Sequence, residues 1–242
     1  MLTDRVGRWL TTVLSSVALA SVMTLAGGAA AATGANLQMP GAHASYQQWQ
    51  DWAAQEQTLM QSVDWMNTPG AYKVQLVPVV SNGTGKIPKG IVIESVVIWG
   101  HGSSAHSGLQ PTKGRLATSA SPDIASYCSW MTSGVSGNIT DGVACVGLDY
   151  ISGTYHNAAE YYDTSGYLLG HLELGYGGSA DCSTIGTALQ NTSDGSLSPG
   201  SFVRIVYGGS VGGEESSTWW ERLSLNGSTV YQSYGTVCTF NY

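Results

Sequence analysis

The residues able to do chemistry are few, so their spacing carries most of the information. The stretch "STWWERLSLNGSTVYQSYG" at 217–235 contains Asn226-Gly227. That pair tolerates the positive φ of a type I′ hairpin turn. A two-residue turn sets Leu225 opposite Ser228, Leu223 opposite Val230, Glu221 opposite Gln232 and Trp219 opposite Tyr234. One face then holds Glu221 and Gln232 between Trp219 and Tyr234. The other holds Trp220, Arg222, Tyr231 and Ser233. Aromatic rings strip water from a carboxyl and an amide orients it, which is how a protein prepares a general acid. The competing reading pairs Glu221 with Arg222, or with a cation on another strand, at the sheet edge.

Two further acids stand out. Glu94 in "GIVIESVVIW" shares a strand face with Val92, Val96 and Ile98. An acid there is costly unless it is paired or lines a cleft. Alternatively, Ile93, Ser95, Val97 and Trp99 form the core face, and Glu94 points outward. In "LLGHLELGY", His171 and Glu173 share one face, while Leu168, Leu172, Leu174 and Tyr176 form the other. That pair faces solvent or a groove, where it could do acid–base chemistry or grip a hydroxyl. Glu221, Gln232, Glu94 and Glu173 are therefore the candidate catalytic residues.

The segment "YHNAAEYYDTSGY" (155–167) reads as a ligand-binding loop. Tyr155, Tyr161 and Tyr162 offer faces for stacking on sugar rings, with acids and amides beside them. Together with Trp219, Tyr234 and His171 they make up the candidate ligand-binding set. Tyrosines are equally common as fillers at the rim of a sandwich.

Several chemistries have no support. There is no nucleophile elbow, no His-Glu-x-x-His helix and no phosphate loop. "WGHGSSAHSG" has His and Ser but no aspartate placed to complete a triad. Short likenesses to jelly-roll endoglucanases at "ESVVIW", and to secreted glutamic peptidases at Glu221 and Gln232, lack flanking motifs. No family and no family residues are carried over from them. Neither a metal site nor a cofactor is expected.

The elements that must position these residues follow from the rest of the 242-residue chain. Residues 1–32 read as a secretory signal peptide: a short charged start, an apolar stretch, then small residues before a cleavage site after Ala32. An uncleaved anchor is the rival reading. Losing the leader removes two Arg and one Asp and takes the net charge from −7 to −8. So acidic a chain, with Lys used only four times, is ill suited to nucleic acid, whose phosphates call for Lys and Arg. In an exported protein, Cys128, Cys145, Cys182 and Cys238 imply two disulfides. The favoured pairing is Cys128–Cys145, across a turn-rich connection, with Cys182–Cys238.

Residues 33–44 read as a flexible linker. Residues 45–68 read as one amphipathic helix with Ser45 as N-cap and a stripe through Tyr46, Trp49, Ala53, Leu59, Met60, Val63 and Met66. From 69 to 242 the period is two. Strands are expected at "AYKVQLVPVV", "GIVIESVVIW", "GVACVGLDYI", "YLLGHLELGYG", "SFVRIVYG" and the final hairpin, with a long loop at 100–122. Short strands without crossover helices argue for a mainly β fold. The expected form is a two-layer antiparallel β-sandwich or jelly roll, preceded by one helix.

The expected function is a secreted, extracellular β-sandwich that binds a neutral, carbohydrate-type polymer through surface aromatics. Its partner is that polymer or a surface ligand. Nucleic acid and stable membrane insertion are not expected, and the oligomeric state is open. One alternative is an acid-acting hydrolase, a glycosidase or glutamic-type peptidase, using paired Glu and Gln. Another is a structural or adhesive surface protein without a small-ligand site. Two converging acids would separate the hydrolase from the binder.

Overall fold

Ser45 and Gln48 open the helix by capping each other. The Ser45 hydroxyl accepts from the Gln48 backbone N–H, and the Gln48 side chain accepts from the Ser45 N–H. Two donors that the first turn would otherwise leave without partners are thereby satisfied. Helix α1 runs Tyr46–Ser62, and Val63 is already extended. A short 3-10 turn at Trp65–Asn67 follows, so the helix is shorter than its apolar spacing suggested. Its buried residues are Trp49, Trp52, Ala53, Glu56 and Met60, while Tyr46 and Met66 are exposed. The buried stripe is thus rotated from the expected one and includes a glutamate.

The computed structural model describes residues 37–102, 117–118, 125–133, 140–151, 154–164, 166–178, 185–209 and 215–239. Contacts divide the chain into Met1–Thr33 and Gly34–Tyr242, and the first unit lies outside the described residues. The second is a two-layer antiparallel β-sandwich with one α-helix. Its strands are β1 Ala71–Val80, β2 Val92–His101, β3 Ala117–Thr118, β4 Ala125–Ser133, β5 Thr140–Ile151 and β6 Thr154–Asp163. They continue with β7 Leu168–Gly178, β8 Ile185–Asn191, β9 Gly195–Leu197, β10 Ser201–Tyr207, β11 Glu215–Leu225 and β12 Ser228–Thr239. Sheet A has the order β1-β2-β10-β6-β5-β4-β3. Sheet B has the order β12-β11-β7-β8, with β9 also paired to β7.

The core lies between the sheets. Ile93, Val97 and Trp99 of β2, Val203 and Ile205 of β10, and Tyr161 of β6 meet Leu172 and Leu174 of β7 and Trp219 of β11. Tyr161 and Trp219 stack with ring centroids 5.0 Å apart and planes 18° apart. Gly142 makes room for this, because a Cβ there would strike the Tyr161 phenol. A second cluster sits on the opposite face of sheet A. There Met60 of α1 packs with Val96, Ile98, Phe202 and Val206. Strand β2 is therefore buried on both faces, which accounts for its nearly continuous apolar run.

Three expectations need amendment. Leu37, Met39 and Ala44, in the expected linker, pack against the sandwich core. The expected ligand loop at 155–167 is mostly strand β6, paired with β10 and β5. The expected loop at 100–122 falls largely outside the described residues.

Candidate functional site

From the turn back to Trp220 the final hairpin forms in the expected register, but the expected Trp219–Tyr234 pair is lost to a bulge. Asn226 has φ 51° and Gly227 φ 79°, as a type I′ turn requires. Leu225 faces Ser228, Leu223 faces Val230 and Glu221 faces Gln232. Between Thr218 and Trp220 the register shifts, because β12 carries an extra residue opposite β11. Trp219 points inward, is 2% exposed and stacks on the fully buried Tyr161. Neither ring is a surface platform; both are core. The Tyr234 side chain lies outside the described residues. Glu221 is half-buried and Gln232 exposed.

The other candidates part company. Alternation puts Glu221 on the inward side of β11, Glu173 on the outer face of sheet B and Glu94 on the outer face of sheet A. These three carboxyls do not form one converging pair. Glu94 is buried beside α1, where the Gln61 side-chain amide donates to its Oε2 at 2.6 Å. The tyrosines separate as well. Tyr162 packs against the Met60 cluster. Tyr155 is 52% exposed and meets Tyr150 with centroids 4.7 Å apart at the end of the β5–β6 hairpin. Cys128 and Cys145 are bonded across β4 and β5. The expected Cys182–Cys238 bond lies outside the described residues.

The outer face of sheet A collects ionisable groups and buries them. Arg204 of β10 stands opposite Glu160 of β6, with Nη1 3.7 Å from Oε2. Its other nitrogen reaches Asp149 of β5. The pair between those rows, Ala158 and Gly147, is small, which leaves room for the guanidinium to cross. Glu56 of α1 lies 3.9 Å from His156 Nε2, with both side chains almost fully buried. Neither Glu56 oxygen has a hydrogen-bond partner among the described residues, and burial pushes its carboxyl up to about 7. Burial also holds the His156 imidazole below its ordinary value, against the opposing pull of the Tyr207 carbonyl and Asp149.

The outer face of sheet B brings similar groups together within reach of solvent. Strands β8 and β9 pair with different lengths of the same edge of β7. Thr192 bridges the gap between them. Its hydroxyl accepts from the Leu172 N–H and its own N–H donates to the Leu172 carbonyl, both at 2.9 Å. This clamp carries Asp194 to His171, whose Nδ1 lies 3.0 Å from Asp194 Oδ1. The Tyr231 hydroxyl donates to Asp194 Oδ2 at 2.7 Å, and Arg222 Nη1 lies 3.7 Å from the same oxygen. His171 and Tyr231 rings lie 5.1 Å apart. Partial burial would raise the Asp194 carboxyl, but the Tyr231 hydroxyl, His171 and Arg222 outweigh it and hold it below the ordinary range.

Glu173 shares this face, two residues along from His171. Burial lifts its carboxyl above the ordinary range, against the pull of His171 and of the Trp220 indole N–H, which falls short of hydrogen-bond geometry. The His171–Glu173 alternation was legible in the sequence. Trp220, Arg222 and Tyr231 were legible as one hairpin face but not as part of a site. Asp194 gave no sequence signal, because it reaches His171 only through the β7 pairing.

Among the described residues, no group of three or more His, Cys, Asp or Glu could hold a metal. No described helix is long and apolar enough to cross a membrane. Comparison with protein-family models, curated protein sequences and solved structures found no match, so function is read from residues and geometry alone.

Proposed function

We propose that the protein is secreted and binds a neutral, hydroxyl-rich polymer of carbohydrate type on the outer face of sheet B. The observation that carries this reading is the clasp on Asp194. Tyr231, His171 and Arg222 hold its carboxylate on a sheet face over which no described helix packs. Hydroxyls of a sugar are recognised by fixed acceptors and donors beside aromatic faces, and His171, Tyr231 and Trp220 supply rings there. The acidic, cation-poor composition favours a neutral ligand over an anionic one.

Retention on a panel of insoluble neutral polysaccharides tests the reading. Wild type should be retained on at least one, and Asp194→Ala and Tyr231→Ala should weaken retention ~10-fold or more while the fold persists. Trp219→Ala should behave differently, because it opens a core cavity worth about 3–5 kcal/mol. Equal retention of wild type and both surface variants would place binding elsewhere.

A further inference from the structure

From the arrangement of His171, Glu173 and Asp194 we infer that the same face hydrolyses a glycosidic bond of the polymer it binds. Glu173 serves as general acid and His171 as general base, with Asp194 positioning the imidazole. This inference rests on the binding reading.

The first support is the hydrogen bond from His171 to Asp194. An ionised carboxylate only accepts, so in the neutral ring the proton sits on Nδ1 and Nε2 is left with its lone pair. Nε2 makes no hydrogen bond among the described residues. An imidazole held in one tautomer by a carboxylate is an oriented base.

The second support is spacing. Residues two apart on one strand face have attachment points about 6.7 Å apart. Both side chains can therefore reach one bound glycosidic linkage, and direct attack by a water that His171 activates, with no covalent sugar–enzyme intermediate, inverts the sugar centre. The third support is the contrast between the carboxyls. Asp194 is clasped by three donors and stays ionised, while Glu173 is half-buried and keeps a proton more readily. A carboxyl that keeps its proton suits the acid role, and an ionised one suits holding the imidazole that serves as base.

The reaction balances with water as the only co-reactant. His171 Nε2 takes a proton from water as the water oxygen bonds to the anomeric carbon. The bond from that carbon to the bridging oxygen breaks, its electron pair goes to the oxygen, and Glu173 protonates it. The two protons end on His171 and the new hydroxyl, and exchange with solvent restores both groups. The groups facing His171 are Asp194 from the β8–β9 connection, Trp220 across on β11 and Tyr231 from β12, with Arg222 on the Asp194 carboxylate. Those facing Glu173 are His171, Trp220, Thr218 of β11 and Asn191 of β8.

The test takes whichever polysaccharide retains the protein and measures new reducing ends from pH 4 to 8, with the anomer first formed read by proton NMR. Wild type should release reducing ends of inverted configuration. Glu173→Gln should lose ~10²–10⁴-fold in cleavage while keeping retention within a few-fold. An aryl glycoside whose leaving group needs no proton should restore Glu173→Gln but not His171→Ala. A merely structural Glu173 would give no such selective rescue. Retention without cleavage by wild type, or Glu173→Gln cleaving like wild type, overturns the inference and leaves the binding reading standing. No retention on any polymer overturns both.

Discussion

The two outer faces of this sandwich use nearly the same side chains in opposite ways. On sheet A, Glu56, His156, Asp149, Arg204 and Glu160 are buried, and Met60 of α1 packs on the same face. On sheet B, His171, Glu173, Asp194 and Arg222 keep part of their surface in water. A buried charge must find its partner inside the protein, so the sheet A groups are committed to one another. The sheet B groups hold each other in place and still have surface to offer a ligand. Residue type alone does not separate a structural layer from a site; what lies on top of the face does.

That contrast is open to attack by mutation. The largest effect should come from Arg204→Ala, which leaves Asp149 and Glu160 buried without their cation. Removing one partner of such a pair costs about 3–5 kcal/mol. Urea unfolding measures it, and a loss below 1 kcal/mol would show that water already reaches this layer. A matching Arg222→Ala should cost no more than about 1 kcal/mol, because its partner is solvated.

The next effect is a pH dependence. The Glu56 carboxyl sits at about 7 in the folded protein against an ordinary 4.5. The folded state therefore binds the extra proton, and stability falls as pH rises from 4.5 through 7. The gap corresponds to roughly 3 kcal/mol. His156 works in the other sense. Its folded value is lowered, so its contribution is complete above 6.5 and is lost as pH falls. Glu56→Gln should flatten the loss toward alkaline pH and leave the acid side in place. Unfolding curves at pH 5, 6.5 and 8 for both proteins read this directly, and parallel curves would sink it.

The smallest expected change in stability belongs to the open face. Asp194→Asn should leave the unfolding midpoint nearly unchanged, because exposed ion pairs contribute about 0–1 kcal/mol. It should still weaken polymer retention, since a neutral amide is a weaker acceptor for a ligand hydroxyl and is held less firmly by Tyr231 and Arg222. A large fall in stability with unchanged retention would turn the comparison around and make sheet B the structural face.

Local chemistry was readable from the residues in order. The Asn226-Gly227 turn set its own hairpin register because φ is decided within the dipeptide. Ser45 was legible as the N-cap of α1, and the structure added the answering bond from Gln48 three residues on. Period-two alternation marked β1, β2, β7 and β10 and separated His171 and Glu173 from their leucines. The run of short strands without crossover helices already favoured a β fold. Folding decided whatever depends on contact between distant segments. Strand β6 looked like a polar loop because His156, Asn157, Glu160 and Asp163 are buried in it, and only its neighbours make a strand of such residues tolerable. Glu94 looked out of place until α1 supplied Gln61. Asp194 reached His171 from 23 residues away because β8 and β9 share an edge of β7. Turns and caps are settled by energies within a few residues, whereas cover and convergence are settled by which faces pack together.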